Sequence, residues 1–105
     1  MPKCIGNRSK CIYIKTVFTI DESKRKSNLA KHGIDLTQCE SVFDFPMTTE
    51  EDTRMHYGEQ RLKSLCWFDA SVVMLVWTDR EAGPHLISCR YADKHETQDY
   101  FKAVI

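Results

Sequence analysis

The period of the hydrophobic positions changes several times along the chain. Residues 11–20 (CIYIKTVFTI) concentrate β-branched and aromatic types, with Ile12, Ile14, Val17 and Phe18 prominent. They predict one strand, centred on the second half of the run. Asp21 follows as an N-cap, and Glu22 to Lys31 are good helix formers. His32-Gly33 supplies the stop: glycine is the usual residue just past a helix end, and Lys31 and His32 suit the negative end of the helix dipole. Leu36, Cys39, Val42 and Phe43 then recur at helical spacing. They predict a second, short helix, capped by Asp35 or Thr37, closing on the first and ended by Pro46. Met47 to Glu59 is polar and acidic and reads as a connecting loop that ends at Tyr57-Gly58.

Three strands are expected next. Arg61 to Phe68 is the first, and Asp69-Ala70-Ser71 turns the chain into Val72 to Thr78. That run is almost wholly apolar, which fits a central strand covered on both faces. Glu81 to Pro84 reads as a hairpin turn. His85 to Ala92 then alternates, with His85, Ile87, Cys89 and Tyr91 on one face and Leu86, Ser88 and Arg90 on the other. A last helix, Lys94 to Val104, has Asp93 as cap and Glu96 three residues on, the spacing of a capping box. The order β-α-α-β-β-β-α predicts an α+β fold: a two-layer sandwich of an antiparallel sheet with helices packed on one face.

Composition narrows the class. One domain of 105 residues, 42% hydrophobic and 29% charged, is an ordinary globular chain. No apolar run approaches membrane-spanning length, and the N-terminal stretch has no secretory signal pattern, so a cytoplasmic protein is expected. The five cysteines, Cys4, Cys11, Cys39, Cys66 and Cys89, form no C-x-x-C pair. Neither a disulfide framework nor a zinc site is indicated, although a site built from Cys4, Cys11 and a histidine stays open. Cys39, Cys66 and Cys89 read as small hydrophobes. No cofactor is expected. The net charge is zero but strongly segregated: residues 1–33 carry eight Lys/Arg against two Asp/Glu, and residues 34–60 carry one against seven. A basic N-terminal third can meet phosphate; a set of solvated faces is the plainer reading.

Three groups of residues can carry chemistry. Arg80 and Arg90 flank the predicted hairpin turn, and antiparallel pairing with Ser88 beside them would form a phosphate clamp. Each can equally be a surface ion pair with Asp79, Glu81 or Asp93. Lys24, Asn28 and His32 share one face of the first helix, offering an imidazole for proton transfer or simply a capping cation. Glu59 and Arg61 stand two apart at a strand start, a possible general base beside a guanidinium or an ordinary salt bridge.

Taken together, the run D-E-S-K-R-K-S-N-L-A-K-H-G-I-D-L (Asp21 to Leu36), V-F-D-F-P (Val42 to Pro46), Y-G-E-Q-R (Tyr57 to Arg61), V-W-T-D-R (Val76 to Arg80), L-I-S-C-R-Y-A (Leu86 to Ala92) and E-x-x-x-Y (Glu96 to Tyr100) resembles the BrnT family. The resemblance covers about residues 17–105, leaving 1–16 as an N-terminal extension. It implies a RelE-like fold and the toxin of a type II toxin–antitoxin system, a metal-independent endoribonuclease that arrests translation. It implies a cognate antitoxin with a ribbon-helix-helix part (BrnA-like), RNA as substrate, on or off the ribosome, and operator DNA met only through the antitoxin. No membrane partner is implied. Matched to the motifs, Arg80, Arg90, Glu59 and His32 are the expected catalytic residues, and Lys24, Arg61 and Ser88 the substrate-binding ones. Three positions depart from the family pattern. Ile20 replaces an aromatic, Cys66 replaces a glycine, and His85 stands where a basic residue opens the usual R-I-I-S-A-R. The alternative is a catalytically weak module that pairs with the antitoxin and tunes repression.

Overall fold

The computed structural model describes residues 18–54 and 58–104. The described part of the predicted first strand is β1, Thr19–Ile20; residues 11–17 of that run, with Cys4 and Cys11, lie outside it. Helix α1 spans Glu22–His32 and begins and ends as its sequence dictates. Asp21 Oδ1 accepts from the backbone N–H of Ser23 at 2.9 Å and of Lys24 at 3.4 Å. Gly33 closes the helix at φ 74°, ψ 14°, donating its N–H to the Leu29 carbonyl. That left-handed conformation costs a side-chain-bearing residue about 1 kcal/mol or more.

Leu36–Asp44 forms a nine-residue 3₁₀ segment in place of the expected α-helix. Asp35 caps it, accepting from Thr37 N–H at 3.0 Å. Its apolar residues Leu36, Cys39, Val42 and Phe43 are all buried. They close chiefly on the sheet, because α1 itself offers almost no apolar surface; its one buried residue is Asn28.

The stretch expected to be a connecting loop contains strand β2, Thr48–Glu51. It pairs antiparallel with β3, Leu62–Phe68, placing Thr49 against Ser64. An edge strand needs only one hydrogen-bonded side and no apolar alternation, so its acidic sequence concealed it. Strand β4, Ser71–Arg80, follows through a tight turn in which Asp69 and Ala70 adopt φ 49° and 61°. Strand β5, Gly83–Tyr91, returns antiparallel to β4. Gly83 and Pro84 belong to that strand, paired with Arg80 and Asp79, so the turn is only Glu81-Ala82. Helix α2, Lys94–Val104, opens on the expected capping box: Glu96 N–H donates to Asp93 Oδ1 at 2.8 Å and Asp93 N–H to Glu96 Oε1 at 3.0 Å.

The α+β class is borne out, and two details of the expected sandwich are corrected. The sheet is mixed, with order β1-β5-β4-β3-β2, because β1 pairs parallel to β5. The two strands are joined through α1 and the rest of the sheet rather than by a hairpin, and a connection of that length leaves parallel pairing open to β1. Both faces are covered. On one, the 3₁₀ segment and Ile34 pack on Cys66, Val73, Leu75, Trp77, Leu86 and Cys89. On the other, α2 seats Tyr100 against Leu65 and Val72, with Trp67 and Met74 alongside. The central strand β4 is thus apolar on both sides, as its sequence predicts.

The alternation expected for β5 is interrupted. Val76 pairs with Ser88 but Trp77 pairs with Leu86, leaving Ile87 as the extra residue of a β-bulge. Leu86 and Cys89, three apart, therefore both enter the first core. His85, Ser88 and Arg90 stand opposite Thr78, Val76 and Met74, on the α2 side of the sheet.

Candidate active site

The sequence-predicted residues fall into three places. At the turn end of the β4–β5 hairpin, Arg80 Nη2 donates to Glu59 Oε1 at 2.9 Å and its Nε to Oε2 at 3.4 Å. Gly58, at φ 80°, turns the chain just before Glu59 so that its carboxylate meets β4. The guanidinium holds the Glu59 carboxyl below its ordinary range, with a further contribution from the charge of Arg61. Arg61 is half-buried beside this pair. The expected Glu59–Arg61 pairing is therefore a wider group in which Arg80 is the direct partner of Glu59.

His85 completes the group, and sequence reasoning passed over it as a lost basic residue. Its Nδ1 lies 2.6 Å from Thr19 Oγ1, a bond made possible by the parallel β1–β5 pairing that sets Thr19 opposite His85. Burial depresses the imidazole below its ordinary value, and the neighbouring Arg80 adds to this; Glu59 and Asp21 oppose it and Arg61 reinforces it. The available signal was a single histidine at a strand position flanked by apolar residues.

The second place is a groove of about 220 Å³ between α1 and β5, lined by Lys24, Ser27, Asn28, Lys31, His32, Ile87 and Ser88. Lys24, Asn28 and His32 do share a face. Asn28 is the buried member: its Nδ2 donates to the Ile34 and Cys89 carbonyls, and its Oδ1 accepts from Cys89 N–H, each at 2.9 Å. Where β1 ends, this side chain takes over as the hydrogen-bonding partner of β5. It leaves Lys24, Lys31 and His32 exposed along the groove.

Arg90 occupies the third place. It opposes Met74, six residues along β4 from Arg80, or about 20 Å of strand. The expected clamp of both arginines on one phosphate is corrected by this register. Arg90 is gripped instead by Glu96 on α2, with 2.9 Å bonds from both Nη atoms, and this pairing raises its proton affinity while lowering that of Glu96.

A surface joins the three places. No residue of the α2-side core lies beyond Met74 on β4. Val76, Arg80, His85 and Ser88 are therefore partly exposed on that side, with Arg90 at the far end and the basic rim of α1 alongside. Among the described residues no group of three or more His, Cys, Asp or Glu is placed to hold a metal ion. None of their helices is long and apolar enough to cross a membrane.

The profile of the ribonuclease toxin BrnT of type II toxin–antitoxin systems matches residues 20–96. Among solved structures, the crystal structure of the Brucella abortus ribonuclease toxin BrnT shares the fold. The TM-score is 0.56 at 21% identity, over 76% of this chain and all of that one. No curated protein matches the sequence. A family profile spanning helix α1 and strands β2 to β5 makes this chain a member of the BrnT family, the ribonuclease toxins of type II toxin–antitoxin systems.

Proposed function

We propose that the chain is an endoribonuclease that cleaves RNA without a metal, at the hairpin end, and so arrests translation. The observation that carries this reading is the convergence of Arg80, Glu59, Arg61 and His85 at one open end of the sheet. Cleavage of RNA by its own 2′-OH develops negative charge on a five-coordinate phosphorus. Arg80, with Arg61 behind it, is positioned to neutralise that charge. In the free protein the Glu59 carboxylate occupies the Arg80 guanidinium as a phosphate would. Substrate binding exchanges one anion for the other, and Glu59 keeps Arg80 extended until then.

Lys24, Ser88 and His32 then line the path of the flanking strand, and Arg90 meets a phosphate several nucleotides away. In this arrangement His32 and Arg90 bind rather than react, while Arg80 remains at the chemistry. The segregated charge favours RNA on this side of the molecule, since the basic rim lies on α1 and the acidic residues of β2 sit at the opposite edge of the sheet. A toxin of this type requires an antitoxin. In this proposal a ribbon-helix-helix partner covers this surface, represses the shared operon with the toxin, and meets it in the cytoplasm.

The test is cleavage of a labelled RNA oligonucleotide by purified chain in EDTA, with growth after induction scored in parallel. The expected products carry 2′,3′-cyclic phosphate and 5′-OH ends. Arg80→Ala should lower the rate by about 10²-fold or more, the loss typical of one charge-stabilising donor. Growth arrest that persists in Arg80→Ala, or products with 5′-phosphate ends, overturns the proposal.

A further inference from the structure

Resting on that reading, we propose that His85, anchored by Thr19, is the proton acceptor for the 2′-OH in this chain. The geometry is specific. The parallel β1–β5 register sets Thr19 directly beside His85, and Thr19 Oγ1 lies 2.6 Å from Nδ1. In the tautomer whose Nδ1–H donates to that oxygen, the lone pair of Nε2, on the far side of the ring, is the basic position; this is the tautomer the proposal requires. The β-bulge at Ile87 keeps His85 on the same side of the sheet as Ser88 and Arg90, and two residues along from Arg80 through its partner Thr78. Leu86 beside it is turned into the core, whereas His85 stays partly exposed.

The alternatives at the site are poorer bases. Glu59 is tied to Arg80 and held as a carboxylate of low proton affinity. His32 lies in the groove along α1, at the helix end remote from β1. The groups that face His85 from the packed elements are Asp21 ahead of α1, Glu59 and Arg61 before β3, and Arg80 on β4. Burial and Arg80 outweigh the two carboxylates and lower the proton affinity of the ring, which favours the neutral form that a proton acceptor needs.

The step balances within the substrate. Nε2 takes the 2′-OH proton as the 2′-oxygen bonds to phosphorus and the P–O5′ bond breaks. The proton is returned through solvent to the departing 5′-oxygen, giving a cyclic phosphate and a 5′-OH and restoring neutral His85.

The experiment is a pH–rate profile for RNA cleavage by the full chain and its His85→Gln, Thr19→Val and Arg80→Ala variants. Binding of an all-2′-deoxy oligonucleotide of the same sequence is measured alongside. For the unaltered chain, the rate should rise tenfold per pH unit in acid and level off below about pH 6.5. His85→Gln should lower the rate by about 10²- to 10⁴-fold and abolish that limb, with deoxy-oligonucleotide affinity changed by less than about threefold. Thr19→Val should slow cleavage by about tenfold while keeping the limb. An unchanged rate and profile in His85→Gln, with Arg80→Ala inactive, overturns the role of His85 and leaves the site intact. Loss of deoxy-oligonucleotide binding in His85→Gln overturns it as well, because a proton acceptor does not hold the substrate. Absence of cleavage by the unaltered chain at every pH overturns both readings.

Discussion

Replacing Asn28 with alanine is the sharpest probe of how the fold holds its site. The side chain is 4% exposed and makes three hydrogen bonds of 2.9 Å, two to β5 at Cys89 and one to Ile34. Each is worth about 1 kcal/mol net, and alanine also leaves the buried Cys89 N–H and two carbonyls unmatched. The expected loss is about 3–5 kcal/mol, a large share of the stability of any small domain. For a chain of this size that lowers the melting temperature by more than about 12 °C. Urea denaturation followed by tryptophan fluorescence measures it as a fall in midpoint at constant slope. Asn28→Asp adds a test of mechanism. Its oxygen facing two carbonyls is tolerable only when protonated, so burial and those carbonyls raise the folded pKa above the unfolded value of about 3.9. The native state then binds the extra proton. The deficit against the unaltered chain should shrink as pH falls through the raised pKa and be largest above it. A loss below about 1 kcal/mol in Asn28→Ala, or an Asn28→Asp deficit that grows on acidification, refutes the bidentate lock.

Gly33→Ala should cost about 1 kcal/mol, measured by the same denaturation, purely from its φ of 74°, since an added Cβ meets no atom within 4 Å. Acid should destabilise the protein: Asp21, Glu22, Asp35, Glu59 and Glu96 all have lowered folded pKa values. Their contribution is present above the unfolded carboxylate range and lost as pH falls through the folded values, and the depressed His85 acts in the same direction below about pH 6.5. Thermal melts from about pH 7 to about pH 3 should show a falling midpoint; a rise contradicts this. Cys39, Cys66 and Cys89 are fully buried, with the Cys66 thiol pushed up to about 12 by burial. Iodoacetamide labelling read by mass spectrometry should leave all three unmodified in the native protein and modify them in urea; native labelling of any of them contradicts the packing.

The helices and strands with strong periodicity were legible in the sequence because local chemistry sets them. Asp21 and Gly33 fix α1, and the Asp93–Glu96 pair fixes α2. The apolar run of β4 announces a strand covered on both sides. Edge strand β2 was hidden, since half its hydrogen bonds face outward and no core selects its side chains. The parallel β1–β5 contact is a long-range event of 66 residues that leaves no local trace, and it gives His85 its Thr19 partner. The motif residues Arg80, Glu59 and Arg61 do meet. Arg90 does not join them, because an arginine's distance from a hairpin tip is a matter of register, and spacing along the sequence counts residues without fixing pairs.

The bulge at Ile87 gives the hairpin a phase. Between the turn and Ile87, each side chain faces opposite to where strict alternation from Cys89 would put it. Pressing Ile87 into the ladder by a one-residue slip would turn His85 inward and Leu86 outward together, exchanging a polar rim for an apolar one with no change of composition. Burial of Leu86, worth about 1.5–3 kcal/mol, opposes that slip. Excising Ile87 has the reverse meaning: the ladder becomes regular and both residues keep their present faces. The surplus residue is thus a stored alternative, and the strand carries two possible surfaces of which the core selects one.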